Sequence, residues 1–525
     1  MAVWPLARFP AREVMRGSGV NIAIDRQSDV PLYQQIVRQI RQLITSGSLT
    51  GGFRLPPERR LAQTLGVNRS TILNAYRELK ANGWLEARVG RGTSVVPAAA
   101  RRTDPHHERT DGQEIGWRQL FRERFVGSED AVLRDLLGLS EREDTIPLAM
   151  GLPAPDHLPL DTYAELMSEV ITDLGPRSLL HSPTEGVTSL REALCEWAAE
   201  REIPCEVTEV QVVSGSQQGL DMAARVFLDP GDVVVVEEPT YIGALQTFRD
   251  AGARLIGVPT DAHGMRTDLL EAILQRRRPK FIYTLPTFQN PSGVVMPLER
   301  RRHLLELAGR YQVPVLEDDP YADLRYDGEP LPALKALDSD NLVLYLSTIS
   351  KVLFPGLRLG WLIAPPSVRQ QFTLVKQGMD LHSSTPGQFL LERYLRRGFH
   401  REYLASIRRE YECRRDVMHR ALSRQDIPGL SWNRPSGGFY FWCALPEGTD
   451  RARLLARSAE EGVSFLPGWA CFVQDPGRSH IRLNFAYPGV EQIEVGVARL
   501  LKAVRYAVRS RQRASPATTS TPPVV

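Results

Sequence analysis

Five short apolar runs, at 210–213, 233–236, 281–283, 313–316 and 342–346, constrain this chain more than any other feature. Each is bounded by turn residues, and stretches with helical periodicity separate them. A short run without polar alternation is what a strand buried on both faces requires, and such strands belong to mostly parallel sheets covered by helices. The pattern predicts an α/β body over residues 146–508.

The residues that follow each run carry the chemistry. After the first comes SGSQQGL, small and donor-rich, leading into a helix. Then come Glu238-Pro239-Thr240-Tyr241, Gln289-Asn290-Pro291, Asp318-Asp319-Pro320-Tyr321 and Ser347-Thr348-Ile349-Ser350-Lys351. Open α/β sheets bind ligands beyond the carboxyl ends of their strands, so these five ends are expected to line one pocket. Lys351 stands out because the chain has six lysines against 59 arginines. A lysine after a buried strand, where arginine is the default cation, suits a task that guanidinium cannot perform. Amine chemistry is such a task, because a desolvated ammonium can lose its proton and form a Schiff base. A plain surface lysine is the alternative.

At 525 residues the chain is too long for one core, and residues 29–97 read as a separate domain. Leu32, Ile36, Ile40 and Leu43 form one helical stripe after Pro31. A second helix is expected from about Pro57 to Leu65, with Leu61, Ala62 and Leu65 inward. Gly66-Val67 makes a turn, and Asn68 or Ser70 can cap a third helix with Ile72, Tyr76 and Leu79 as its core face. Gly83 is placed to stop it. WLEARVGRGTSVV then alternates around Gly90 and Gly92 as a hairpin would. Together these make a winged helix-turn-helix, an α+β head. Arg69, Ser70, Thr71 and Asn74 fall on or near the outer N-terminal face of the third helix, suited to phosphates and base edges of a major groove, and Arg91 lies at the hairpin tip. Between Asp29 and Ala100 there are ten basic and four acidic residues, while the whole chain is only +3. A basic module on a mildly acidic remainder suits a polyanionic partner for the module alone, though charge by itself fits a solvated face equally well.

Residues 1–28 read as a disordered leader, with Met15 as an alternative start and no apolar core of a signal peptide. Residues 98–145 read as a linker, polar at first, with short amphipathic helices expected at 117–125 and 131–139. Residues 509–525 read as a disordered tail. No run of 18 apolar residues exists, so no membrane span is expected. The five cysteines form no C-x-x-C pair, which suits free thiols in a reducing cytoplasm. The ten histidines form no H-E-x-x-H pattern, and no metal site is expected.

The string LPPERRLAQTLGVNRSTILNAYRELKANGWLEARVGRGTSVV resembles the GntR-family reading head over about 70 residues. The resemblance implies double-stranded DNA as partner, contacted by Arg59, Arg69, Ser70, Thr71 and Arg91. Leu73 departs from members that carry another basic contact there. GLPAPDHLP, PTEGVTSLREAL, SGSQQGLDM, EEPTY, NPSG, EDDPYADLRY, SKVLFPGLRLG and HIRLNFA, in this order over about 360 residues, resemble the fold-type I aminotransferases. That resemblance implies a large domain with a mostly parallel, seven-stranded type of sheet, a small α+β domain, and pyridoxal 5'-phosphate as cofactor. Lys351 would hold the cofactor as a Schiff base, Asp318 would pair with its pyridine nitrogen and Tyr241 would stack on its ring. Asn290 and Tyr321 would bond the ring hydroxyl. Ser216 and Gln217 at a helix N-terminus, with Thr348, Ser350 and Arg358, would cradle the phosphate. Arg482, with Gly151 nearby, would take a substrate carboxylate. His181 stands where the family usually has a tyrosine reaching the phosphate across a dimer interface.

A GntR head on an aminotransferase-like body resembles the MocR subfamily of transcription regulators. The expectation is a cytoplasmic homodimer that reads operator DNA and senses an amino compound through the cofactor. A working aminotransferase with an accessory head is the other reading.

Overall fold

The computed structural model describes residues 22, 24, 31–45, 49–88, 92–96, 144–424, 426–474 and 479–512. The chain divides into two compact units near residue 120. The expected linker helices, the hairpin tip with Arg91 and most of the leader lie outside the described residues.

The first unit contains helices α1 (Leu32–Thr45), α2 (Glu58–Leu65) and α3 (Arg69–Ala81), then the hairpin β1 (Leu85–Arg88) and β2 (Gly92–Val95). Ile36, Val37, Ile40 and Ile44 of α1 are buried with Leu61, Ile72, Tyr76 and Leu79. The apolar stripe of α1 therefore sits slightly to one side of the predicted one, and Leu32 and Leu43 are only half-buried. Tyr76 donates to the Pro56 carbonyl at 2.8 Å, tying α3 to the segment before α2. Ile22 also packs into this core, so part of the segment expected to be a disordered leader has a structural role.

The second unit is built on an eight-stranded sheet. Its strands are β3 (Val210–Val213), β4 (Val233–Glu238), β5 (Arg254–Asp261), β6 (Gly264–Met265), β7 (Phe281–Thr284), β8 (Val315–Asp318), β9 (Val343–Thr348) and β10 (Gly360–Ile363), in spatial order β3-β10-β9-β8-β7-β4-β5-β6. β10 runs antiparallel to both of its neighbours and β6 runs antiparallel to β5; the pairs β9–β8, β8–β7, β7–β4 and β4–β5 are parallel. The expected mostly parallel sheet is present. The fourth apolar run is shifted, with its strand at Val315–Asp318 so that Asp318 ends the strand rather than following it. Two of the strands outside the five runs, β5 and β10, carry weaker signals. β5 has a single fully buried residue, Val258, and β10 is four residues long.

A second antiparallel sheet comprises β11 (Ser431–Trp432), β12 (Tyr440–Ala444), β13 (Leu466–Pro467) and β14 (His480–Asn484), in order β11-β12-β14-β13. The long helices Phe399–Ser423 and Val490–Gln512 pack beside it, and the second runs past residue 508. Ile146–Pro147, at the start of the described body, pairs in parallel with Val463–Ser464, which closes the small α+β domain on itself. No helix among the described residues is long and apolar enough to cross a membrane.

Candidate functional site

The carboxyl ends of β3, β4, β7, β8 and β9 open into one cavity of 280 Å³. Gly151, Ser216, Gln217, Tyr241, Asn290, Asp318, Tyr321, Thr348, Ser350, Lys351, Arg358 and Arg482 all line it. The twelve body positions singled out from sequence are therefore brought together, from segments as far apart as 151 and 482.

Asp318 is at the floor. Its Oδ2 accepts from the Tyr283 hydroxyl at 2.8 Å, while its Oδ1 is buried without a partner. Burial, opposed by the Tyr283 bond, pushes its carboxyl up to about 7. An orphaned buried carboxylate oxygen is costly unless a ligand supplies a donor or a cation. Lys351 reaches in from the single-turn segment after β9, and its Nζ donates to the Gly151 carbonyl at 2.7 Å. Burial holds its ammonium below the ordinary lysine range, which favours the free amine. Tyr241 stands at the wall, its hydroxyl donating to Gln217 Oε1 at 3.1 Å; burial pushes it up to about 12.

At the other end the helix Ser216–Phe227 points its N-terminus into the cavity and has no side-chain cap. Gly215 precedes it at φ 86°, where glycine is needed. Thr348 and Ser350 hydroxyls lie 3.0 Å apart, and Arg358 reaches Ser350 Oγ and the Ser214 carbonyl, each at 3.4 Å. A helix N-terminus, two hydroxyls and a guanidinium with only long contacts form a cup for a phosphate-sized anion.

Arg482 arrives from β14. It donates to Asn290 Oδ1 and to the Ala149 carbonyl, both at 2.8 Å, and its Nε is buried without a partner. Its guanidinium lies 4.0 Å from the centre of the Tyr440 ring. Tyr440 was not singled out from sequence. It comes from β12, lines the same cavity, and bonds Tyr321 hydroxyl to hydroxyl at 2.9 Å. Only the pairing of β12 with β14 places it there, so the motif SGGFYFW gave no sign of it. His181 takes no part in the lining; its Nδ1 is 2.7 Å from His382 Nε2.

Three carboxyls buried with the sheet respond to pH together. Burial pushes Glu237 and Asp318 up to about 7 and also raises Glu317. A carboxyl raised on folding contributes stability that is full below its unfolded value and lost as pH rises through the folded one. The cofactor-free chain is therefore expected to unfold at lower temperature at pH 8 than at pH 5. Asp318→Asn is expected to flatten that fall by about 2–3 kcal/mol. Calorimetry of both proteins across this range checks it; identical slopes would contradict the assignment.

In the first unit, α3 begins at Arg69 behind an Asn68 cap, whose side chain accepts from Ser70 N at 3.1 Å. Asn68 is thus the cap, and Ser70 remains outward. Arg59, Arg69, Ser70 and Asn74 are exposed and Thr71 is half-buried. Arg77 shares the Ser70–Asn74 face at helical spacing and was missed from sequence. Arg69 touches Glu58 at 3.5 Å with its side chain 56% exposed, so the guanidinium is available to a partner.

Comparison with known proteins matches the two units separately. Residues 143–500 match the model of aminotransferase class I and II, and residues 32–95 that of the bacterial regulatory proteins of the gntR family. The aromatic-amino-acid aminotransferase 1 of Thermococcus litoralis is 40% identical over 404 residues, 76% of this chain and 97% of its own. The HTH-type transcriptional regulator TauR of Rhodobacter capsulatus is 30% identical over 481 residues, 89% of this chain and 96% of its own. The crystal structure of LysN, an alpha-aminoadipate aminotransferase from Thermus thermophilus complexed with N-(5'-phosphopyridoxyl)-L-leucine, superposes with a TM-score of 0.71 at 36% identity, covering 75% of this chain and all of the other.

Proposed function

Because this chain belongs to the aminotransferase class I and II family and carries a gntR-family head in the MocR-type arrangement, we propose that it is a DNA-binding transcription regulator whose body senses an amino compound through pyridoxal 5'-phosphate. The observation that carries this reading is a cavity lined by a buried lysine amine, an orphaned carboxylate oxygen and a cup of anion-binding groups, on the same chain as an exposed, capped recognition helix.

The residues present fit the cofactor. Asp318 Oδ1 would meet the pyridine nitrogen, and that contact would satisfy the buried oxygen and hold the nitrogen protonated. Lys351 would bond the aldehyde carbon, and Asn290 and Tyr321 would orient the ring hydroxyl. Ser216, Gln217, Thr348, Ser350 and Arg358 would hold the phosphate, and Tyr241 would cover one ring face. When bound, the cofactor supplies an aldehyde for reversible amine exchange and an electron sink. Arg482 selects amines that carry a carboxylate, its unpaired Nε marking the approach. An amine that took the place of Lys351 would free the segment after β9 from the cofactor. Regulation follows only if the released and tethered states place the heads differently, because a ligand that binds both states equally shifts nothing.

A cytoplasmic homodimer completes the reading. Leu179, Leu180 and Leu381 are 70%, 62% and 54% exposed beside the His181–His382 contact, an apolar patch suited to a second copy.

The aminotransferase reading keeps the intact cavity and the relative from Thermococcus litoralis in its favour. Titrating the full chain with candidate amino acids, while following both the cofactor's visible absorbance and DNA affinity, separates the two. Coupled changes are expected. Steady turnover with a 2-oxo acid and DNA affinity that never moves would leave the enzyme.

Gly215→Ala offers a local check. A Cβ there would lie 2.6 Å from Arg358 Nη2, on a backbone at φ 86°. The substitution is expected to cost about 1–2 kcal/mol of stability and to weaken cofactor retention about tenfold. Retention equal to that of the parent in equilibrium dialysis would remove Arg358 from the cup.

A further inference from the structure

A second, larger cavity of 620 Å³ lies behind the same strand ends. Adjacent residues face opposite ways: Asp318 and Tyr321 line the first cavity, while Asp319 and Ala322 line the second, and Asn290 and Thr287 of a neighbouring segment divide in the same way. The two cavities share a wall, and a ligand in the second would press on the segment that presents Asp318.

Its charges are unevenly matched. Arg201 bonds Asp319 Oδ2, which also accepts from Tyr345, and Arg401 bonds Glu200. Arg325 and Arg408 have no carboxylate partner among the described residues. Arg325 lies 4.8 Å over the Phe288 ring and otherwise reaches only the Asp327 carbonyl, at 3.4 Å. Arg408 donates to the Asp323 carbonyl through Nε, and its terminal nitrogens have no hydrogen-bond partner among the described residues. Burial and the nearby Arg301 guanidinium lower the Arg325 pKa, as expected for a cation without a counter-charge. His400 is 6% exposed, lines the cavity, and neither ring nitrogen makes a hydrogen bond; Glu200 stands 3.6 Å away. Asp319, 2% exposed, has an orphaned Oδ1. Trp197, Leu331, Ala333 and Leu404 supply apolar wall.

We infer that this second cavity binds a small organic carboxylate with an apolar body, its carboxylate held between Arg325 and Arg408. The class follows from the charges. Two guanidinia without a carboxylate partner ask for a planar anion, whereas Glu200, Glu202, Asp323 and the buried Asp319 in the same lining disfavour a dianion such as phosphate. The volume suits a ligand of small-molecule size. The inference is independent of whether Lys351 captures the cofactor.

The probe is anthracene-2-carboxylate, followed by fluorescence anisotropy on the full chain loaded with pyridoxal phosphate and, in parallel, on Lys351→Ala. Saturable binding is expected in both. The neutral anthracene-2-carboxamide should bind about tenfold or more weakly, and Arg325→Gln should weaken the carboxylate by a similar factor. Arg325→Lys should recover part of that loss, which a folding defect would not allow. Absence of saturable binding, equal affinity for carboxylate and amide, or an unchanged Arg325→Gln would each overturn the assignment. So would a loss on Arg482→Ala that Arg325→Gln does not share, since that would put the probe in the first cavity.

Discussion

Lys351→Ala is expected to leave the protein colourless after dialysis, where the parent keeps the visible absorbance of bound pyridoxal phosphate. The side chain makes one hydrogen bond in the folded chain, Nζ to the Gly151 carbonyl, so its removal costs the fold about 1 kcal/mol or less. Its loss to the cofactor is far larger, because a reversible covalent link is replaced by the phosphate cup and Asp318 alone. Retention is expected to drop by roughly 100-fold or more. Lys351→Arg should behave in the same way, since guanidinium keeps its proton under all ordinary conditions. If Lys351→Ala stayed coloured through exhaustive dialysis, another amine would be the anchor. Among the described residues that line the cavity, Lys351 is the only lysine.

The second large effect is expected at the other end of the chain. Arg69→Ala should weaken binding to a duplex selected from random sequence by about 1–3 kcal/mol, or roughly five- to 150-fold. If Arg69 sits on a phosphate, the slope of log affinity against log salt should shrink by about one. If it reads a base edge, the slope should hold and discrimination at one position should relax. The guanidinium's tie to Glu58 is long and exposed, so the folded head loses little. Ser70, Asn74 and Arg77 share the outer surface of α3, and Arg77→Ala should give a smaller loss of the same kind. Unchanged affinity and unchanged salt dependence in Arg69→Ala would sink the major-groove placement of α3.

Much of this is legible in the sequence. The apolar runs announced the sheet because strands buried on both faces tolerate few polar residues. Their ends announced the cavity because a parallel sheet must present its carboxyl ends on one edge. Lys351 was conspicuous against a background of arginine. The head was legible from punctuation: Gly66 at φ 62° and Gly83 at φ 68° sit where the chain must leave a helix, and Asn68 caps the next. β10 was obscure because four residues between a Lys-bearing loop and a helix carry no period. The α1 stripe was misplaced by a residue because Leu32 and Leu43 satisfy the same helical spacing as Val37 and Ile44.

Sequence by itself determined which side chains line the cavity and which elements hold them, because those depend on local period, caps and strand ends. Only the tertiary structure decided what each group meets: Tyr440 over Arg482, Tyr283 on one oxygen of Asp318 with the other left bare, and Arg325 without an acid. Such partners are set by sheet order and by the pairing of β12 with β14, which bring together residues that no local period links, such as Tyr283 with Asp318 and Tyr440 with Arg482. Burial, and with it the rise of Asp318 to about 7, exists only once those layers close.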